Sequence, residues 1–364
     1  TSMRDLLVHG DDLIVATHGR SFWVLDDIEP LREVAAGEGA EGTKLFKPAE
    51  AWRVRRDENT DTQLPADEPA GENPPDGAII DYALAQDAHG PVTLEIVGSD
   101  GTVLRRYSST DPVSPSPEEL PSDLIPPYWP QITGPVPTSA GMHRWVWDLR
   151  GTAPTATNRE YPISAVPHRT PRVPQGPLVL PGTYTVKLTA DGKTETQTLT
   201  VKLDPRIHTS AADLKTLYEQ QTEMAHTLDQ IARADLAGHS IRDQLTDAGV
   251  SSIASELKPY VEQLKVLLEG SAAGAANASE GLDGVNGEAG QLYGQLQQAD
   301  RLPTAALAAA SAKTEREGKE LAAKWEEFMS EQVPVINRVL RQGGKPEINA
   351  AEPPKSMPDH GDED

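Results

Sequence analysis

The chain contains no cysteine. That excludes disulfides, thiolate nucleophiles, iron–sulfur clusters and cysteine-bound zinc in one step, while fitting either side of a membrane, since bacterial exported proteins often do without cysteine. Apolar residues nowhere run for about 18 consecutive positions, so no transmembrane helix is expected. Positive charge is scarce: 33 Lys and Arg stand against 56 Asp and Glu, a formal net charge of −23. Nucleic acid and anionic membrane surfaces both demand a concentrated basic patch, and this balance argues against either as a partner. Solubility is the plain reading of the acidity. Proline is the opposite case, with 31 residues in 364, so long connections are expected. At about 150 residues per domain, the length implies two or three domains rather than one core.

The first stretch reads as short strands. Leu6-Leu7-Val8, Leu13-Ile14-Val15-Ala16-Thr17 and Ser21-Phe22-Trp23-Val24-Leu25 are separated by turn residues at His9-Gly10-Asp11-Asp12 and His18-Gly19-Arg20. Three strands are too few to close a core, so they must dock onto the next domain or pair with something outside the chain. The beginning, Thr1-Ser2-Met3-Arg4, enters this apolar segment at once, which suggests a piece of something longer. Residues 57–76 are rich in Asp, Glu, Pro, Asn and Gly and read as a mobile loop.

Alternating segments resume at Ala78–Leu84, Val92–Val97, Val103–Tyr107, His143–Leu149, Gly182–Leu188 and Thr196–Leu203. Asp100-Gly101 and Asp191-Gly192 mark hairpin turns. Six or seven short strands of this kind predict an immunoglobulin-like sandwich. Between them, residues 111–182 hold 16 of the 31 prolines. Proline removes a ladder donor, so this insertion cannot be central sheet apart from a strand at 143–149. Its aromatics Tyr128, Trp129 and Tyr161 favour packing over disorder.

From Thr209 the period becomes helical. Thr209-Ser210 is the expected N-cap, and Leu214, Leu217, Tyr218, Gln221, Met224, Ala225 and Leu228 begin an i, i+3, i+4 stripe. A second helix is predicted over Ser251–Leu268, residues 270–290 read as a Gly, Ala and Ser loop, and a short helix follows at Gln291–Ala299. A last helix runs from Pro303 to the stop at Gly343-Gly344. These long stripes predict an antiparallel bundle, followed by a disordered acidic tail.

The phrase His18-Gly19-Arg20-Ser21-Phe22-Trp23-Val24-Leu25-Asp26-Asp27 resembles the closing blade of bacterial sortilin-type β-propellers, whose repeats are related to neuraminidase repeats and which often carry a glycosyl hydrolase label. The resemblance extends through Tyr128-Trp129-Pro130, Ala140–Arg150, Gln175-Gly176-Pro177 and Leu180–Val186. It implies the C-terminal region of a larger, exported protein, periplasmic or secreted, whose main partner is its own upstream propeller. The expected class is then α+β and multidomain: a last-blade remnant at 1–47, an acidic linker at 48–76, a sandwich at 77–205, a three-helix bundle at 206–345 and a tail at 346–364.

The residues give little support to the hydrolase label. A sialidase-like site needs clustered arginines, a Tyr activated by Glu, and an acid Asp from several blades, and only one partial blade is present. Ser99-Asp100-Gly101-Thr102 lacks the spacing of the repeat box and reads as a turn. His18, Arg20, Asp26 and Asp27 are expected to form a turn held by an Arg–carboxylate pair. Trp145 and Trp147 are assigned to opposite faces of their strand, leaving at least one in the core. His208, His226 and His239 lack metal-ligand spacing, so no metal, cofactor or catalytic residue is assigned. No nucleophile elbow, phosphate loop or dinucleotide fingerprint occurs. Tyr128 and Trp129 are the candidate binding contacts, since aromatics stack on sugar faces and hold peptide segments. The expected function is a non-catalytic accessory region bracing the propeller, with protein or carbohydrate as ligand. The alternative is the substrate-positioning part of a sialidase-like glycoside hydrolase.

Overall fold

The computed structural model describes residues 2–37, 42–55, 75–120, 125–161, 168–249, 256–271 and 281–351. They form a mixed α and β structure in two compact units. The first comprises Thr1–Thr152, Tyr161–Arg172 and Leu178–His208; the second comprises Ala153–Glu160, Val173–Pro177 and Thr209–Asp364.

The first unit opens with an antiparallel meander of β1 (Met3–His9), β2 (Asp12–Thr17) and β3 (Phe22–Leu25). Gly10 and Gly19 sit at φ +62° and +83°, supplying the left-handed backbone its two tight turns require. The short helix α1 (Glu29–Ala35) follows, started by Pro30 and tied back to the first turn by Arg32, which reaches Asp11 and Glu29 at 2.7 Å each. The expected pairing of Arg20 with a carboxylate is replaced by other bonds. Thr17 and Ser21 pair through backbone, and the Trp23 indole N–H donates to the Arg20 carbonyl at 3.0 Å.

Two further sheets share one core. The smaller runs β4 (Thr43–Leu45), β6 (Ala78–Leu84), β9 (Gly141–Trp147). The larger has the order β5 (Ala51–Arg53), β11 (Lys193–Leu203), β10 (Gly182–Ala190), β7 (Thr93–Val97), β8 (Val103–Ser108). Strand β5 lies inside the span read as linker and pairs parallel with β11; residues 56–74 of that span lie outside the described residues. Ile80, Tyr82 and Trp147 from the small sheet meet Leu94, Val186, Leu188 and Leu199 from the large one, all buried. Trp145 and Trp147 are two residues apart and therefore share a strand face, which corrects their assignment to opposite faces. Trp147 is fully buried and Trp145 packs against the same core, edge-on to Tyr107 at 5.0 Å. The β10–β11 hairpin turns at Asp191-Gly192, both at positive φ, as the sequence predicts.

The second unit is built on α2 (Ala211–Asp247), capped by Ser210, whose hydroxyl accepts the Asp213 N–H at 3.1 Å. With it pack α3 (Lys258–Glu269), α4 (Leu282–Leu296), α5 (Ala305–Glu327) and α6 (Val333–Gln342). Helix α3 begins later than the predicted Ser251, and residues 250–255 lie outside the described residues. Helix α4 corrects the reading of 270–290 as loop over 282–290, while residues 272–280 lie outside the described residues. Leu282, Val285, Ala289, Leu292, Tyr293 and Leu296 form a buried stripe that offsets the poor helix propensity of its glycines. Between α5 and α6 a π turn at Phe328–Gln332 precedes Pro334. Proline there has no N–H for the helical ladder, so the register widens locally.

Two pieces of the proline-rich insertion belong to this helical unit. Asp229 accepts the Thr155 N–H at 2.8 Å, Asn286 bonds Thr157, and the Tyr293 hydroxyl donates to the Gln175 carbonyl at 2.7 Å. The expected disordered tail is ordered at its start. Asn337 accepts the Ile348 N–H at 2.7 Å and Gln244 the Asn349 N–H at 2.8 Å; residues 352–364 lie outside the described residues.

Candidate functional site

Strand alternation sorts the meander's side chains onto two faces, and both are apolar. The register sets Leu6 and Val8 beside Val15 and Leu13, then Trp23 and Leu25; on the opposite face it sets Leu7 beside Ile14 and Val24, with Phe22 beside Ala16. Phe22 is 75 % exposed, Leu7 57 % and Trp23 55 %. An antiparallel sheet with one face in water alternates apolar with polar residues. This one does not, and monomeric proteins rarely leave such contiguous apolar area open.

At the foot of the meander lies a cleft of about 250 Å³ lined by Leu25, Asp27, Pro30, Leu31, Asp81, Met142, His143 and Arg144. Asp81 and Arg144 are opposite one another on β6 and β9, and the guanidinium grips the buried carboxylate through Nε at 3.0 Å and Nη2 at 2.8 Å. The same Nη2 donates to the Asp27 carbonyl at 3.2 Å. Burial raises the Asp27 carboxyl above its ordinary value, opposed by N–H donors from Glu29 and Ala49. Arg144 thus bonds both the carboxylate of β6 and the backbone leading into α1, so the geometry is that of a joint between α1 and the small sheet.

Tyr128 and Trp129 sit on an ordered loop. The His168 N–H donates to the Tyr128 carbonyl at 2.8 Å and the Thr170 N–H to the Trp129 carbonyl at 3.0 Å, a short strand-like pairing within the insertion. Both rings are half-buried.

A fourth constellation lies inside the helical unit. Asp235 and His239 are four residues apart on α2 and so share a helix face; Asp283 comes from the first turn of α4. His239 Nε2 lies 2.8 Å from Asp283 Oδ1 and 3.2 Å from Asp235 Oδ1. Asp235 and His239 are buried, whereas Asp283 is about one-third exposed. Burial opposes the imidazolium, but the two carboxylates outweigh it and push His239 up to about 9. Burial lifts Asp235 to about 6, against His239 and with the help of Asp283. Asn286 stands one helical turn beyond Asp283, its amide nitrogen 3.5 Å from Asp235 Oδ2. Sequence reasoning set His239 aside by comparing histidine spacings with one another. The usable signal was the Asp-x-x-x-His pair on one helix face; Asp283, 44 residues away from His239, leaves no local trace.

No family model, no curated protein and no solved structure matches this chain. Among the described residues no helix is long and apolar enough to cross a membrane.

Proposed function

We propose that the chain is a non-catalytic accessory region of an exported, sortilin-type β-propeller protein, periplasmic or secreted, in which β1–β3 form part of the closing blade. The remaining sheets then make an immunoglobulin-like sandwich, and the helices an antiparallel bundle of five helices among the described residues where the sequence predicts three. Tyr128 and Trp129 serve as an aromatic contact for a protein or carbohydrate ligand.

The observation that carries this reading is the meander with two exposed apolar faces. A sheet apolar on both sides needs a layer on each side, and a propeller blade, packed between two neighbours, meets that need. The chain's own joint between α1 and β6–β9 anchors one end of the meander and leaves its flanks open.

The test is a flank substitution. The 364-residue chain is expected to bind an apolar dye and to self-associate, and the double variant Leu7→Lys, Trp23→Lys, one change per face, is expected to lose both properties while keeping its far-ultraviolet circular dichroism. A monomeric, dye-free parent chain would remove the support for a blade. Glycan and peptide arrays probed with the chain and with Trp129→Ala check the ligand contact, equal signals discarding it. Turnover of a glycoside that the Asp27→Asn or Asp81→Asn chain loses would favour the hydrolase alternative.

A further inference from the structure

Two carboxylate oxygens approach one imidazole nitrogen in the helical unit, and that nitrogen carries at most one proton. A proton on Nε2 can point squarely at Asp283 or at Asp235, but not at both. A cation can be shared by all three. Ligand atoms bound to one divalent ion at about 2.0–2.1 Å stand roughly 2.9–3.4 Å from each other. The observed separations from Nε2, 2.8 and 3.2 Å, are close to that span, and all three ligand atoms lie within 4.8 Å of one another.

A second buried polar group lies beside the three. Asn286 is buried, and its carbonyl Oδ1 has no hydrogen-bond partner although its amide nitrogen bonds Thr157. It is that nitrogen, a hydrogen-bond donor, that lies 3.5 Å from Asp235 Oδ2. The backbone around the group is fixed by close packing. A Cβ at Gly281, two residues before Asp283, would fall 2.1 Å from the Leu268 carbonyl oxygen, and a Cβ at Gly238 would meet Leu268 Cδ2 at 2.7 Å. The two helices thus carry their ligands on rigid, closely seated backbone.

We infer that Asp235, His239 and Asp283 form a binding site for one divalent first-row transition ion that clasps α4 to α2. One imidazole with carboxylate oxygens is a borderline donor set, suited to zinc or manganese rather than to copper(I) or calcium. Burial of Asp235 and His239 makes the role structural, and water entering beside Asp283 fills any remaining position.

The experiment uses the chain stripped with EDTA and titrated with Zn²⁺ by calorimetry, with thermal melts alongside. One equivalent is expected to bind, with a Kd of micromolar or tighter, and to raise the melting temperature. Asp283→Asn, at the partly exposed ligand, is expected to weaken binding at least tenfold and to abolish the zinc-induced thermal shift, each form being compared with its own stripped state. X-ray absorption of the zinc complex should show one imidazole among oxygen ligands. Equal affinity in parent and Asp283→Asn, or no stoichiometric uptake at about 100 µM Zn²⁺, would overturn the site and leave a buried histidine–carboxylate pair. If Asp283→Asn fails to fold, His239→Gln supplies the same comparison. None of these outcomes depends on whether β1–β3 belong to a blade.

Discussion

Gly77 has φ +134°, and a Cβ there would fall 2.0 Å from the Trp147 carbonyl oxygen. Gly77→Ala is therefore expected to destabilise the first unit by about 3 kcal/mol, read from urea unfolding, because strained backbone and a backbone clash add together. Gly101, at φ +84° with open space around it, is the control; Gly101→Ala should cost only about 1 kcal/mol. A second prediction concerns charge. Arg206 hydrogen bonds hold the Asp204 carboxyl at about 2, below its usual 3.8. A depressed folded-state value means that the pair's stabilisation is complete above the ordinary value and disappears as pH falls through 2. In Arg206→Ala, carbon NMR of Asp204 should show a midpoint returned toward the ordinary value, and the stability gap to the parent should be present at pH 5 and close near pH 2. At this scale the sequence was most legible where chemistry is local, as at Asp191-Gly192. It was least legible where one residue's meaning lies far along the chain, as for His239 with Asp283.

Among elements, α4 teaches most about what a sequence hides. Gly287, Gly290 and Gly294 make its composition read as a loop, yet Cβ atoms at these three positions would meet nothing, so the glycines are tolerated on the open side of the helix. Its existence comes from burying Leu282, Val285, Leu292 and Tyr293 against neighbours, a tertiary effect that propensity does not report. Gly281 is different, because the chain there touches the end of α3 backbone to backbone. Gly281→Ala is expected to lower stability by about 3 kcal/mol and to raise amide exchange selectively along α4. Strands β6 to β11 were readable from alternation, as was the start of α2 from Ser210, whereas β4 was not read. The parallel partnership of β5 with β11 was not, since three residues beside an acidic stretch carry too little pattern to stand out.

For the whole molecule, the net charge of −23 is a property that no single ion pair offsets. Among the described residues, ion pairs such as Lys215–Glu219, Arg233–Asp229 and Lys313–Glu317 join surface groups and contribute little. Self-repulsion among carboxylates opposes compactness and is screened by salt. The melting temperature is expected to rise between about 0.02 M and 0.5 M sodium chloride, where the Debye length contracts from roughly 20 Å to about 4 Å; scanning calorimetry at fixed pH checks this. A flat or falling trend would mean that specific pairs outweigh the mean field. The chain's route also matters at this scale. Thr155 and Thr157 find their partners Asp229 and Asn286 a further 74 and 129 residues along. On a ribosome adding about 5–20 residues per second, Thr157 would wait roughly 6–26 s for Asn286 to be made. During that interval the nascent strap has no helix to lie on, and its two threonines are left hydrogen bonded to water.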